Sequence, residues 1–339
     1  MSRKVCFITF HFNKYDGQTK AAKNFLLGFK KFGNYQPCLL TAGCSKEMTK
    51  EMEDGGIDVI NFNKSAPSLL DHTLEYLILW FSKKASKYFD NDSIYITGND
   101  DAVMVSAFKK GPMIYWSQGP AFLMAFQNYF YERNKFIRSI MANGAVPLAR
   151  KYQKFVSKYD LVLANSKTAA TLSAFFLGRL ADGIMYPPLD ISKYKANLSQ
   201  PERYALWVSK RDYSHGVSDL LSELAKKINV KIVGNLKIEG AETLGNVSDE
   251  QLNELYSNAY ITLYPSINEI FGYIPVESML SGTPVIAYNS GGPSETILNN
   301  RTGWLVNSKD EFENLVLSLF EKGYPLEMRK NARLRGEDF

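Results

Sequence analysis

The chain has 339 residues, of which 45% are hydrophobic and 22% charged, with 23 glycines and 13 prolines. This is an ordinary globular balance on a length that suits two domains, so a disordered or fibrous chain is excluded. The net charge of +5 is unevenly spread: residues 1–190 hold 24 Lys and Arg against 16 Asp and Glu, and residues 191–339 hold 16 against 19. A basic first half suits an anionic partner, whether nucleic acid, lipid or a phosphorylated substrate.

The opening MSRKVCFITF has a basic tip, but its apolar run is short and lacks a small-residue cleavage site; it reads as a first strand, not a leader. No run approaches the ~18–20 apolar residues that span a bilayer. Cys6, Cys38 and Cys44 make no disulfide framework and have no partners at zinc spacing. A reducing, cytoplasmic home with no metal and no cofactor is the expectation.

Apolar, β-branched runs predict strands over 5–10, 36–42, 57–62, 93–99, 112–118 and 160–166. Between them, helical periodicity predicts helices over 19–33, from about 69 to 89, and from Lys167 onward. Pro187-Pro188 breaks any regular element, and the polar stretch 191–202 reads as a linker. Strands then recur over 204–210, 230–234, 241–247, 259–265, 284–288 and 303–306. Helices are predicted near 216–227 and over 249–258, 274–281, 294–299, 308–322 and 325–336. Strands alternating with helices imply parallel sheets covered on both faces. The expected fold is therefore α/β, with two doubly wound Rossmann-like domains, 1–190 and 203–339, facing across a cleft. Ligands would lie beyond the carboxyl ends of the strands.

The densest chemistry lies in 264–295, YPSINEIFGYIPVESMLSGTPVIAYNSGGPSE. A strand ends near Pro265, and a turn carries Glu269, Phe271 and Gly272 before a helix opens. Pro275 fits an early helical position, where its missing N–H costs nothing. Backbone N–H groups near Gly272 and Tyr273 would suit a phosphate. Glu277 could accept hydrogen bonds from a ribose diol, and Glu269 could face a sugar. Gly291-Gly292 would let the chain turn tightly and approach a ligand, with Ser294 as a helix cap. After the first strand of the second half, Lys210, Arg211 and His215 could stabilise the charge on a departing phosphate.

Glu269-x7-Glu277, the SGGPSE that follows, and the segments YDLVLANS (159–166), YPPLD (186–190) and LGNVSDEQLNELYSNAYITLYPS (244–266) together resemble the family-4 retaining glycosyltransferases of GT-B fold. The resemblance implies a nucleotide-sugar donor, GDP- or UDP-linked, bound mainly by the C-terminal domain. It implies a glycan, lipid-linked or small-molecule acceptor, bound mainly by the N-terminal domain, and no need for a metal. Carried over, Glu269 contacts the donor sugar; Phe271, Gly272 and Tyr273 offer backbone contacts to sugar and diphosphate; and Glu277 holds the ribose. Gly17 would sit near the diphosphate, and Gln118 with Gly119 on the acceptor side.

The chain also departs from the family pattern. Ser209-Lys210 stands where Gly-Arg is usual, and His215-Gly216 where Lys-Gly is usual. Lys210 lacks the planar fork of arginine, and a neutral His215 would neutralise diphosphate less well. Gln118 replaces a common histidine and cannot act as a base. Other expectations concern partners. Segment 122–159 carries nine aromatics and seven basic residues against Glu132 alone, which suits peripheral contact with an anionic membrane or, more plainly, a buried helix face. No zinc finger, RNP-like strand or recognition-helix pattern points to specific nucleic-acid binding. The rival activities are a nucleotide-sugar epimerase or phosphorylase, or a non-enzymatic sugar or nucleic-acid binding module.

Overall fold

The computed structural model describes residues 3–12, 17–31, 33–62, 75–98, 100–119, 150–208, 217–267 and 269–339. The chain divides into two compact units, Met1–Leu189 and Asp190–Phe339.

The first unit is built on a seven-stranded sheet in the order β3-β2-β1-β4-β5-β6-β7. The strands are β1 (Arg3–Phe12), β2 (Tyr35–Cys44), β3 (Asp58–Asn61), β4 (Ile94–Thr97), β5 (Met113–Ser117), β6 (Leu161–Ala164) and β7 (Gly183–Ile184). Every neighbouring pair is parallel. Helices α1 (Gly17–Lys31), α2 (Lys46–Asp54), α3 (Glu75–Ala85) and α4 (Lys167–Leu177) connect them. Because β1 is buried on both faces, it is apolar almost throughout. Phe7 meets Phe25 of α1 and Trp116 of β5 on one face, at ring separations of 6.1 and 6.3 Å. Phe10 meets Phe81 of α3 on the other, at 5.5 Å. Each such buried aromatic contributes on the order of 1.5–3 kcal/mol.

Two features of this unit differ from expectation. Helix α2 was not anticipated, because its apolar side is only Met48 and Met52, four residues apart; the Ser45 side chain starts it by accepting from the Met48 N–H. Cys6 and Cys38 are joined by a disulfide. Parallel pairing of β1 with β2 sets the two residues opposite each other. Sequence spacing cannot show that register, so the count of three cysteines does not carry the reducing-compartment expectation. Cys44 is a free, half-buried thiol.

The second unit repeats the plan with six parallel strands in the order β10-β9-β8-β11-β12-β13. These are β8 (Ala205–Val208), β9 (Val230–Val233), β10 (Glu242–Gly245), β11 (Ile261–Tyr264), β12 (Val285–Tyr288) and β13 (Gly303–Val306). Helices α5 (Val217–Ala225), α6 (Asp249–Asn258), α7 (Tyr273–Leu280), α8 (Pro293–Thr296), α9 (Lys309–Lys322) and α10 (Glu327–Gly336) cover the sheet. A reciprocal capping box of Ser248 and Gln251 starts α6, and Ser308 caps α9. The strand order reverses between β8 and β11, which makes the carboxyl ends of these two strands the switch point where such sheets bind ligands.

Helix α10 is clamped to this unit by its arginines. Arg329 is fully buried, and its guanidinium donates to the carbonyls of Asn197 (2.8 Å), Ala259 (2.8 Å) and Ser257 (2.6 Å), to the Thr283 hydroxyl (3.0 Å) and to the Tyr324 hydroxyl (3.4 Å). All five N–H groups have acceptors, which offsets the cost of burying the charge. Two of these carbonyls, Ser257 and Ala259, belong to the open C-terminal end of α6. Arg333 does the same for α7 through the Leu280 carbonyl, and Arg335 for α8 through the carbonyls of Glu295 (2.7 Å) and Thr296 (3.0 Å). Residues 191–202 belong to this unit: Asn197 accepts from Arg329, and the Lys195 N–H donates to Asn253 (3.1 Å).

Candidate functional site

The strand that leads into the candidate site is buried along its whole length. On β11, Ile261 and Leu263 fill one core layer, while the hydroxyl of Thr262 on the other face accepts from Ser278 of α7 at 2.8 Å. The strand thus fixes the direction in which α7 leaves the turn after it.

That turn favours glycine. Gly272 adopts φ 82° and caps α7 with no side-chain hydrogen bond. This is a left-handed conformation that L side chains rarely adopt. The first turn of α7 carries no acidic side chain, and Pro275 at its third position has no N–H to leave open. The amide groups at this helix start carry the positive end of the helix dipole, and no side chain caps them.

Gly291 and Gly292 serve a role the sequence did not suggest. The Gly292 N–H donates to the Glu269 carbonyl at 2.7 Å. A Cβ on Gly291 would lie 2.0 Å from the Glu269 oxygen, and one on Gly292 would lie 2.0 Å from the Phe271 oxygen. The close approach is therefore to the backbone of 269–271, which the glycine loop clasps from beneath. Ser294 is not the cap of α8; that position is Gly292, and the Ser294 hydroxyl donates to the Gly291 carbonyl at 2.6 Å. The helix ends at Thr296 because Ile297 is extended.

The two carboxylates sit in different surroundings. Glu269 is half-buried in the turn; it accepts from the Tyr264 hydroxyl at 3.1 Å and from the Ile270 N–H. Burial pushes its carboxyl above the ordinary value, opposed but not cancelled by those two hydrogen bonds. Glu277 is only 6% exposed and accepts from the Tyr256 hydroxyl at 3.2 Å through Oε2. The phenols of Tyr194, Tyr256 and Tyr273 are all pushed up by burial first and by the Glu277 charge second. They remain donors across the working pH range. Of these three, Tyr273 was named from sequence only for its backbone, and the phenols of Tyr194 and Tyr256 were not singled out. Phe271 is buried, with its ring 5.4 Å from Tyr273 and 5.9 Å from Phe339.

The structure therefore brings Glu269, Phe271, Gly272, Tyr273 and Glu277 together on one strand–turn–helix unit at the switch point. Ser209, Lys210, Arg211 and His215 lie outside the described residues, between β8 and α5 in the chain. In the first unit, Gly17 is the exposed first residue of α1, following β1, while Gln118 and Gly119 follow β5. They share the carboxyl edge of that sheet. Gln118 is 8% exposed, and its Nε2 has no hydrogen-bond partner among the described residues. A Cβ on Gly98 would lie 2.5 Å from the Phe7 ring and 2.9 Å from that Nε2, so a bare glycine leaves the amide its room. Gly119 has φ 99°, which favours glycine.

Most of segment 122–159 lies outside the described residues. At its described end the aromatics serve the core: Tyr152 and Tyr159 are buried, and the Tyr159 hydroxyl donates to the Val103 carbonyl at 3.1 Å. Among the described residues no helix is long and apolar enough to cross a membrane, and no group of three or more His, Cys, Asp or Glu is placed to hold a metal ion.

Residues 195–337 match the family model described as glycosyl transferases group 1. Over 56 residues the chain is 46% identical to the alpha-1,3/1,6-mannosyltransferase alg-2 of Neurospora crassa, a stretch that is 16% of this chain and 12% of that protein. Over 223 residues it is 26% identical to the mouse GDP-Man:Man(3)GlcNAc(2)-PP-Dol alpha-1,2-mannosyltransferase, covering 51% of this chain and 44% of the relative. The matches thus span less than half the length of these curated relatives. Among solved structures, HepE of Anabaena in complex with UDP superposes with a TM-score of 0.75 at 18% identity, covering 99% of this chain and 95% of that one. Sucrose-phosphate synthase of Thermosynechococcus elongatus superposes with a TM-score of 0.74 at 14% identity, covering 99% and 94%. Both units of the present chain are parallel α/β sheets of the GT-B, double-Rossmann kind, and the second is related in sequence to glycosyltransferases.

Proposed function

We propose that the chain is a retaining glycosyltransferase of family-4 type, which moves a sugar from a GDP- or UDP-sugar to a glycan, lipid-linked or small-molecule acceptor. One observation carries this reading. Two carboxylates of different surroundings, Glu269 and Glu277, flank a left-handed glycine and a helix start with no side-chain cap at the switch point of the second sheet. That arrangement suits a nucleoside diphosphate: N–H groups for the phosphates, Glu277 for the ribose and Glu269 for the sugar.

Bond breaking leaves charge on the β-phosphate. The N–H groups near Gly272 and Tyr273, with Lys210 or Arg211 and His215, stabilise it. The departing phosphate oxygen then helps take the acceptor proton on the same face of the sugar, so no protein base is needed and Gln118 is tolerated on the acceptor side. Glu269 and Glu277 ride on one turn-to-helix unit, unlike the pair of flanking acids that a glycosidase sets about 5–9.5 Å apart. The relatives' names favour a lipid-linked acceptor, since the mouse protein acts on a PP-Dol-linked glycan. With such an acceptor, a cytoplasmic chain would meet the membrane peripherally, through 122–159.

The test is a panel of nucleotide-sugars incubated without divalent metal. Release of one nucleoside diphosphate is expected, strongly reduced in Glu269→Ala and Glu277→Ala. Turnover that appeared only with Mg²⁺, or conversion of the donor with no acceptor or water consumed, would reject the assignment.

A further inference from the structure

We propose that Tyr256 is a positioning residue for Glu277: its phenol holds Oε2 and thereby aims the carboxylate at a ribose diol. The inference rests on the donor reading above and adds a residue from a different helix to it.

Tyr256 is 1% exposed and Glu277 6% exposed, and their contact of 3.2 Å joins α6 to α7. A buried carboxylate needs donors, and a diol supplies two. For both to be accepted in one geometry, the carboxylate plane has to be set before the ligand arrives, because a side chain left to rotate loses binding energy on ordering. A phenol suits this task better than a lysine. It donates one hydrogen bond without bringing a full positive charge that would compete with the ligand for the carboxylate.

Tyr256 is itself anchored. Its carbonyl accepts from the Thr283 hydroxyl at 2.6 Å, and that hydroxyl accepts from Arg329 at 3.0 Å. The buried arginine of α10 thus braces the threonine, the threonine braces the end of α6, and Tyr256 carries the brace to Glu277. The raised pKa of the phenol keeps the proton on tyrosine.

The experiment is calorimetric titration of wild-type and Tyr256→Phe protein with UDP and GDP, and with the 2′,3′-dideoxy form of each. The same titrations in a Glu277→Ala background complete the cycle, and urea midpoints report folding. The expected result is a loss of about tenfold in affinity for the ribonucleotide, the size of one hydrogen bond to a charged group. Affinity for the dideoxy form should stay within about twofold, and Tyr256→Phe should add nothing once Glu277 is alanine. Equal losses for both nucleotide forms, or an undiminished loss in the Glu277→Ala background, would show a merely structural tyrosine and overturn the proposal. Tyr256→Leu makes the same comparison should the phenylalanine variant not fold. A wild-type protein that bound neither UDP nor GDP would remove the donor reading itself, and this role with it.

Discussion

The carboxyl edges of the two sheets are alike in topology and unlike in chemistry. Both sheets are doubly wound and reverse strand order beside their first strand. In the second, the turn after β11 is held from every side. The glycine loop clasps its backbone, Tyr264 and Tyr256 hold its two carboxylates, and Thr262 meets Ser278 behind it. In the first, the same edge offers an amide with an open Nε2 and glycines at Gly17, Gly98 and Gly119. Among the described residues, one edge presents two carboxylates and the other an amide and bare glycines. The lesson is that topology chooses the edge and side chains choose the ligand.

The sharpest way to break this comparison is to remove a carboxylate from the edge that presents two. Glu269→Ala should lower turnover by about 10²–10³-fold, the usual cost of losing a group that acts on developing charge. Gln118→Ala, on the other edge, should cost far less and raise the apparent acceptor KM more than it lowers kcat. Steady-state kinetics on both variants decides the matter, and an equal loss at the two positions would erase the distinction.

Next in size are two stability effects confined to the second unit. Arg329→Met removes all five of its hydrogen bonds and leaves the Ser257 carbonyl in the interior without its guanidinium donor, and should destabilise that unit by about 3–5 kcal/mol in urea unfolding. Gly292→Ala should cost about 2–4 kcal/mol, because its Cβ has nowhere to go but into the Phe271 carbonyl. A silent Gly292→Ala would mean that the clasp is not needed.

A smaller, pH-dependent effect follows from Glu269. Its folded pKa lies above its unfolded value. The folded state therefore holds the proton longer, and stability falls as pH rises from the ordinary carboxylate range through the folded pKa. Glu269→Gln should accordingly raise the melting temperature at pH 8. The gain should vanish below about pH 4, where both states are protonated. A variant that is more stable and inactive marks a residue kept for chemistry. At the small end stands the exposed Lys109–Asp160 ion pair of the first unit, where Lys109→Ala should change stability by less than about 1 kcal/mol.

Much of the plan was legible. Apolar runs such as VCFITF and YITLYP mark strands buried on both faces, because such strands lose the polar alternation of half-exposed ones. The Glu269-x7-Glu277 spacing and Gly272 located the turn, since only glycine sits easily at that φ. Helix α2 escaped because two methionines make too thin an apolar stripe. The disulfide escaped because Cys6 and Cys38 become neighbours only through strand register. The glycine pair was assigned to a ligand because sequence shows that a backbone must come close, and not to what.

What the linear chain determined by itself is local: which segments are strands and helices, where the left-handed turn must fall, and which residues carry charge. Such properties depend on neighbours within a few positions. What only the tertiary structure decided is long-range. Tyr256 reaches Glu277 across 21 residues, and Arg329 reaches Asn197 across 132. Those contacts arise from packing helices on a shared sheet, where burial makes each hydrogen bond obligatory and distance along the chain counts for nothing.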